Sequence, residues 1–111
     1  MPPREWSLRV DDILDAIARI ERYVEGLTFD QFKTDQKTVD AVVRNLEIIG
    51  EAVRHLSAEH DSLSGDIRWM DAAGMRNILI HEYFGVDISI VWQTVVDDLP
   101  ALRLAVRRLV S

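Results

Sequence analysis

The sequence predicts an all-α fold, an antiparallel bundle of four to five helices, on three observations. Apolar residues recur at steps of three and four along nearly the whole chain. Helix-start and helix-stop residues fall between those stripes. No stretch alternates apolar and polar residues as a half-buried strand would. At 111 residues the chain fits one compact domain, 1–111, with about half its residues (48%) hydrophobic to supply a core.

The first stripe runs Trp6, Val10, Ile13, Leu14, Ile17, Ile20, Val24 and Leu27, a long amphipathic helix closed by Gly26 and Thr28. "TFDQF" has the spacing of a capping box, Thr28 with Gln31, so a short turn of helix follows. Phe29 and Phe32 would plug the end of the bundle there.

A second long helix is expected from about Asp35 to Leu56, with Val39, Val42, Val43, Leu46, Ile49, Val53 and Leu56 on its buried side. Its other side carries Asp40, Arg44, Glu47, Glu51 and Arg54, spaced for ion pairs along a solvated surface. "SAEHDSLSGD" (57–66) reads as a polar loop. A third helix is expected from about Ile67 to Tyr83, ended by Gly85 as a left-handed cap. Asp87 has the place of an N-cap for the last helix, whose stripe is Val91, Trp92, Val95, Leu99, Leu102, Val106 and Leu109. Pro100 lies inside it and should kink or restart it, since proline lacks the backbone donor and clashes one turn back. Trp69 and Trp92 read as core or dimer anchors.

Charge and composition narrow the function. A net charge of −6 opposes general nucleic-acid binding, so activity on RNA would need a local basic cleft. On charge alone the chain reads as a protein-binding helical domain. No apolar run is long enough to span a bilayer. The start, "MPPREWSLRVDD", has no apolar signal core, and there is no cysteine. Both fit an expected cytoplasmic location. His55 and His60 have the wrong pitch to share a helical face, and His81-Glu82-Tyr83 lacks a second metal-binding histidine. No metal and no cofactor are expected.

"GMRNILIHEYFG" (74–85) is the chemically dense stretch. On a helix, Met75, Ile78, Leu79 and Glu82 share one side; Arg76, Asn77, His81 and Tyr83 share the other with Trp69, Ala73 and Ile80. Asn77 and His81 are one turn apart, Arg76 and Tyr83 two. Two readings are open. A helix apolar on nearly every side is covered on nearly every side, so the polar quartet would form a site where two copies of the chain meet. Alternatively His81 complements the helix C-terminus, Arg76 pairs with Asp71 or Glu82, and Tyr83 is an ordinary half-buried residue.

"RNILIHEY" fits Arg, four residues, His, one residue, Tyr, and so resembles the HepT toxins of the HEPN family of helical ribonucleases. The flanks resemble the family too: "VDDILDAIARIERYV", "TVDAVVRNLEIIGEAV", "GMRNILIHEYFGVD" and "VWQTVVDDLPAL", in order over nearly the full length. The resemblance implies a homodimeric HEPN bundle whose paired motif helices form one composite cleft. It implies RNA cleavage without a metal, with Arg76 and His81 catalytic and Asn77 supporting them. It further implies a toxin of a toxin–antitoxin pair, whose partner nucleotidyltransferase antitoxin (MntA-like) silences it by adding AMP to Tyr83. The alternative is a non-catalytic helical partner that regulates such a nucleotidyltransferase, which the acidic charge favours. Arg44, Asn45 and Glu51 also fall in a family-like stretch and are given no role.

Overall fold

The structure, a computed structural model, describes residues 4–59 and 87–110. Among them every regular element is helical: α1 (Arg4–Val24), the short α2 (Phe29–Lys33), α3 (Gln36–Glu59), α4 (Ile88–Gln93), a π-helical turn (Thr94–Asp98) and α5 (Leu99–Val110). No helix among the described residues is long and apolar enough to cross a membrane.

The stripe predicted for the first helix is the stripe that α1 buries. Val10, Ile13, Ile17 and Ile20 are fully enclosed, Ala16 lies among them, and Trp6, Leu14 and Val24 cover the edges. Each enclosed aliphatic side chain contributes about 1.5–3 kcal/mol of transfer free energy. α1 stops at Val24, earlier than its apolar spacing suggested. Gly26 takes a positive φ of 76°, and the Leu27 amide bonds the Val24 carbonyl at 2.9 Å. Leu27 therefore lies beyond the helix, in the turn that the left-handed glycine creates.

Thr28 and Gln31 close the capping box as predicted: the Thr28 amide donates to Gln31 Oε1 at 2.9 Å, and the Gln31 amide donates to Thr28 Oγ1 at 3.2 Å. That box launches α2 and turns Phe32 into the core, where it is fully buried. Asp35 then caps α3. Its two carboxylate oxygens accept from the Thr38 amide at 3.1 Å and the Thr38 hydroxyl at 2.7 Å, which hold its carboxyl below the ordinary range.

α3 buries Val39, Val42, Leu46, Ile49, Val53 and Leu56, with Ala52 beside them. It runs on to Glu59, so Ser57, Ala58 and Glu59 are helical where a loop was expected. The remainder of that loop, the helix predicted over Ile67–Tyr83, its Gly85 cap and Trp69 lie outside the described residues. α1 and α3 are antiparallel: Arg9 and Asp12 near the start of α1 line one groove with Glu51 and Ala52 near the end of α3. α5 packs on α1 as well, and Arg103 donates to Glu21 across that contact.

Asp87 is the N-cap of α4, as expected, accepting from the Ser89 amide at 2.9 Å and the Ser89 hydroxyl at 2.6 Å. Pro100 does not restart the helix. The chain stays helical from Ile88 to Val110 because the turn before the proline is widened to π geometry, with the Leu99 amide bonding the Thr94 carbonyl five residues back. In a regular helix the proline ring would strike the carbonyl of Val96; an expanded turn gives it room and absorbs the missing donor. Val91, Val95, Leu99, Leu102 and Val106 still reach the core on both sides of this turn.

Candidate functional site

Arg76, Asn77, His81 and Tyr83, the residues that the sequence singled out, lie outside the described residues, as does His60. The described helices that flank that stretch in sequence are α3 before it and α4 to α5 after it.

α3 presents two different faces. One is the apolar stripe against α1. The other carries an ion-pair network: Arg54 Nη2 holds both oxygens of Glu51 at 2.9 and 2.8 Å, His55 Nε2 lies 3.2 Å from Glu51, and Arg44 Nη1 lies 3.4 Å from Glu47. The Arg54 guanidinium holds the Glu51 carboxyl below the ordinary range, with His55 adding to the effect. A carboxylate so held is a poor general base at neutral pH. The network is the exposed surface pairing that the spacing predicted.

Asn45 stands between the two faces and is almost entirely buried. Its Nδ2 donates to the Ala41 carbonyl at 2.9 Å, one turn back, while Oδ1 has no hydrogen-bond partner among the described residues.

Part of this surface was not legible in the sequence. Arg9 and Asp12 line a groove between α1 and α3 together with Arg44, Glu47, Ile48, Glu51 and Ala52. The groove continues past Glu5, Leu8 and His55. Periodicity reads one helix at a time, and only the antiparallel packing sets the flank of α1 opposite the flank of α3. Among the described residues no group of three or more His, Asp or Glu is placed to hold a metal ion. What the groove offers is mixed charge over a small apolar floor, an arrangement suited to binding rather than proton transfer.

The class to which this bundle belongs follows from its relatives: residues 13–109 match a family of ribonucleases, described as Ribonuclease HepT-like. The chain belongs to the HepT-like ribonuclease family. It is 44% identical over 94 residues to a protein of Thermococcus cleftensis named "Probable ribonuclease HepT", covering 85% of this chain and 86% of that one. It is also 44% identical over 92 residues to a protein of Caldanaerobacter subterraneus subsp. tengcongensis with a provisional RNase name, covering 83% and 81%. A longer Methanocaldococcus jannaschii protein, named as a gamma-glutamylcyclotransferase with a provisional RNase function, is 40% identical over 100 residues. That match takes in 90% of this chain and 45% of the other. No solved structure matches.

Proposed function

We propose that the chain is a metal-independent endoribonuclease, the toxin of a toxin–antitoxin pair, working as a homodimer with one composite cleft. The observation that carries this reading is membership of a ribonuclease family over a stretch that includes Arg76-Asn77 and His81-Glu82-Tyr83. Those residue types suit RNA cleavage by its own 2′-hydroxyl. The ribose 2′-oxygen attacks the adjacent phosphorus, its proton passes to a base, and the bond to the 5′-oxygen breaks as that oxygen takes a proton from an acid. Imidazole titrates near pH ~6.5, so His81 from each protomer can serve in either role. The Arg76 guanidinium, permanently charged and forked, matches the phosphate oxygens as negative charge builds on them. Asn77 orients one of the two. Twin protomers double the cationic groups in the cleft, which supplies the local basicity that a chain of net charge −6 otherwise lacks.

AMP transfer to Tyr83 by a nucleotidyltransferase antitoxin would put a phosphate and a nucleoside into that cleft. The added negative charge would repel the RNA backbone. The test pairs two readouts on one sample. Intact mass and RNA cleavage are measured before and after incubation with a candidate nucleotidyltransferase and ATP. A gain of one adenylate at Tyr83 together with lost cleavage supports the reading; cleavage of RNA by His81→Ala at the wild-type rate would sink it.

A further inference from the structure

The outer face of the last helix is complementary to itself. From the π-turn into α5, Val96, Asp97, Pro100, Ala101, Leu104 and Arg107 are all exposed, at the steps of three and four that set residues on one side of a helix. Leu104 is 57% exposed and Val96 52%, and with Pro100 and Ala101 they make an aliphatic strip about 12 Å long. Its ends carry opposite charge, Asp97 beside the half-buried Asp98 at the start and Arg107 at the finish. Among the described residues neither Asp97 nor Arg107 takes part in an ion pair. Glu47 and Glu51 of the α1/α3 groove differ in this respect, since Arg44, Arg54 and His55 of their own helix already answer them. Arg108, next to Arg107, has an interaction of its own, so Arg107 is the cation this face offers.

We propose that this face binds the same face of a second copy, the two helices antiparallel about a two-fold axis at the level of Leu102. Asp97 of one copy then stands level with Arg107 of the other, and Pro100 with Leu104, and each pairing occurs twice. Charge selects the direction. A parallel pair would set Asp97 against Asp97 and Arg107 against Arg107, whereas the antiparallel pair sets each against its opposite. The aliphatic strip lies at the centre with charge at the rim, as in other protein interfaces. RNA fits less well, because a phosphate backbone gains nothing from Val96 and Leu104 and is repelled by Asp97. A strip this short is smaller than the roughly 800 Å² per partner of a standard interface, so the association is weak and grows with concentration. The contact goes beyond the cleft proposed around Arg76 and His81 and uses neither residue.

Because the chain contains no cysteine, one placed at the exposed Ala101, close to the axis, reports this contact by itself. With copper–phenanthroline as oxidant, full-length Ala101→Cys should form a covalent dimer at least about tenfold faster than Lys37→Cys, an exposed α3 position that measures chance collision. In the Ala101→Cys chain, Asp97→Arg or Arg107→Asp alone should slow the reaction about tenfold, since each turns two attractive pairs into repulsive ones. Both changes together should restore the parent rate, because acid and base have only changed places. Should a reversal lower the helical content by circular dichroism, Asp97→Asn or Arg107→Gln replaces it and should slow the reaction in the same direction. Equal rates at Ala101→Cys and Lys37→Cys, reversals without effect, or an exchange that does not recover the rate each overturn the proposal. So does a Leu104→Asp chain that cross-links as before while its KM for RNA rises, which would give this face to RNA. Adding Arg76→Ala should lower RNA cleavage and leave the cross-link unchanged, so this contact and the ribonuclease reading fall separately.

Discussion

The rings of Phe32 and Trp92 lie 5.0 Å apart between centroids, tilted by 41°, and so join the short helix after α1 to the helix that begins at Ile88. Phe29 meets the same indole at 6.0 Å, which makes Trp92 the closing piece of this end of the bundle. Phe32 is completely buried, so truncation leaves a cavity bounded by two helices distant in sequence. Phe32→Ala should cost about 3–5 kcal/mol, read as a lower urea midpoint at unchanged slope. Phe29→Ala should cost visibly less, because Phe29 is only partly buried.

The π-turn makes a prediction of the opposite kind. Proline in the interior of a regular helix costs about 3 kcal/mol relative to alanine. Here the widened turn at Thr94–Asp98 has already relieved the clash. Pro100→Ala should therefore gain less than about 1 kcal/mol, since the alanine also loosens the unfolded chain. A gain near the full helical penalty in thermal or urea unfolding would show that the π-turn relieves nothing.

These two sites also show what the sequence could and could not convey. The stripes of α1 and α3, the capping box at Thr28 and the N-cap at Asp87 were legible because each depends on local spacing and local hydrogen bonds. The π-turn was not, because a periodicity argument assumes constant pitch and marks Pro100 as a kink or a restart. Ser57–Glu59 looked like loop because their composition is polar, yet helix propagates through polar residues once a packed stripe has nucleated it. The groove lined by Arg9 and Asp12 was hidden for a third reason, since it exists only where two helices face each other. The proposed catalytic residues, Arg76 and His81, were legible as a motif; their placement is outside the described residues.

Acid should act on the described helices in two opposed ways. Asp35, Glu51 and Asp87 each have a carboxyl held below the ordinary range: by Thr38, by Arg54, and by Ser89 respectively. A folded-state value below the unfolded one means stabilisation that is present above the ordinary carboxylate range and lost as pH falls through the depressed values. Asp98 runs the other way. Partial burial, with the neighbouring Asp97 charge, pushes its carboxyl up. Its ionised form is therefore disfavoured in the folded chain at neutral pH. Asp98→Asn should raise the Tm at neutral pH, and the difference should disappear once pH drops below the ordinary aspartate range, where both states are protonated. Asp87→Asn should lower the Tm at neutral pH.

The last prediction concerns the chemistry proposed for the cleft. If His81 from one protomer takes the proton of the 2′-hydroxyl while His81 of the other supplies one to the leaving 5′-oxygen, one imidazole must be neutral and its twin protonated. That requirement gives a bell-shaped dependence of kcat/KM on pH, because the productive pair is scarce at either extreme. His81→Ala should lower the rate about 10²–10⁴-fold, the usual worth of acid–base catalysis, and flatten the bell. Arg76→Ala should lower the rate while keeping the bell, since a guanidinium does not titrate in this range. Tyr83→Phe should still cleave RNA yet resist silencing, because it lacks the hydroxyl that would accept AMP. A His81→Ala chain that keeps the wild-type pH profile would remove the imidazole from the mechanism and leave charge stabilisation by Arg76 as its remaining element.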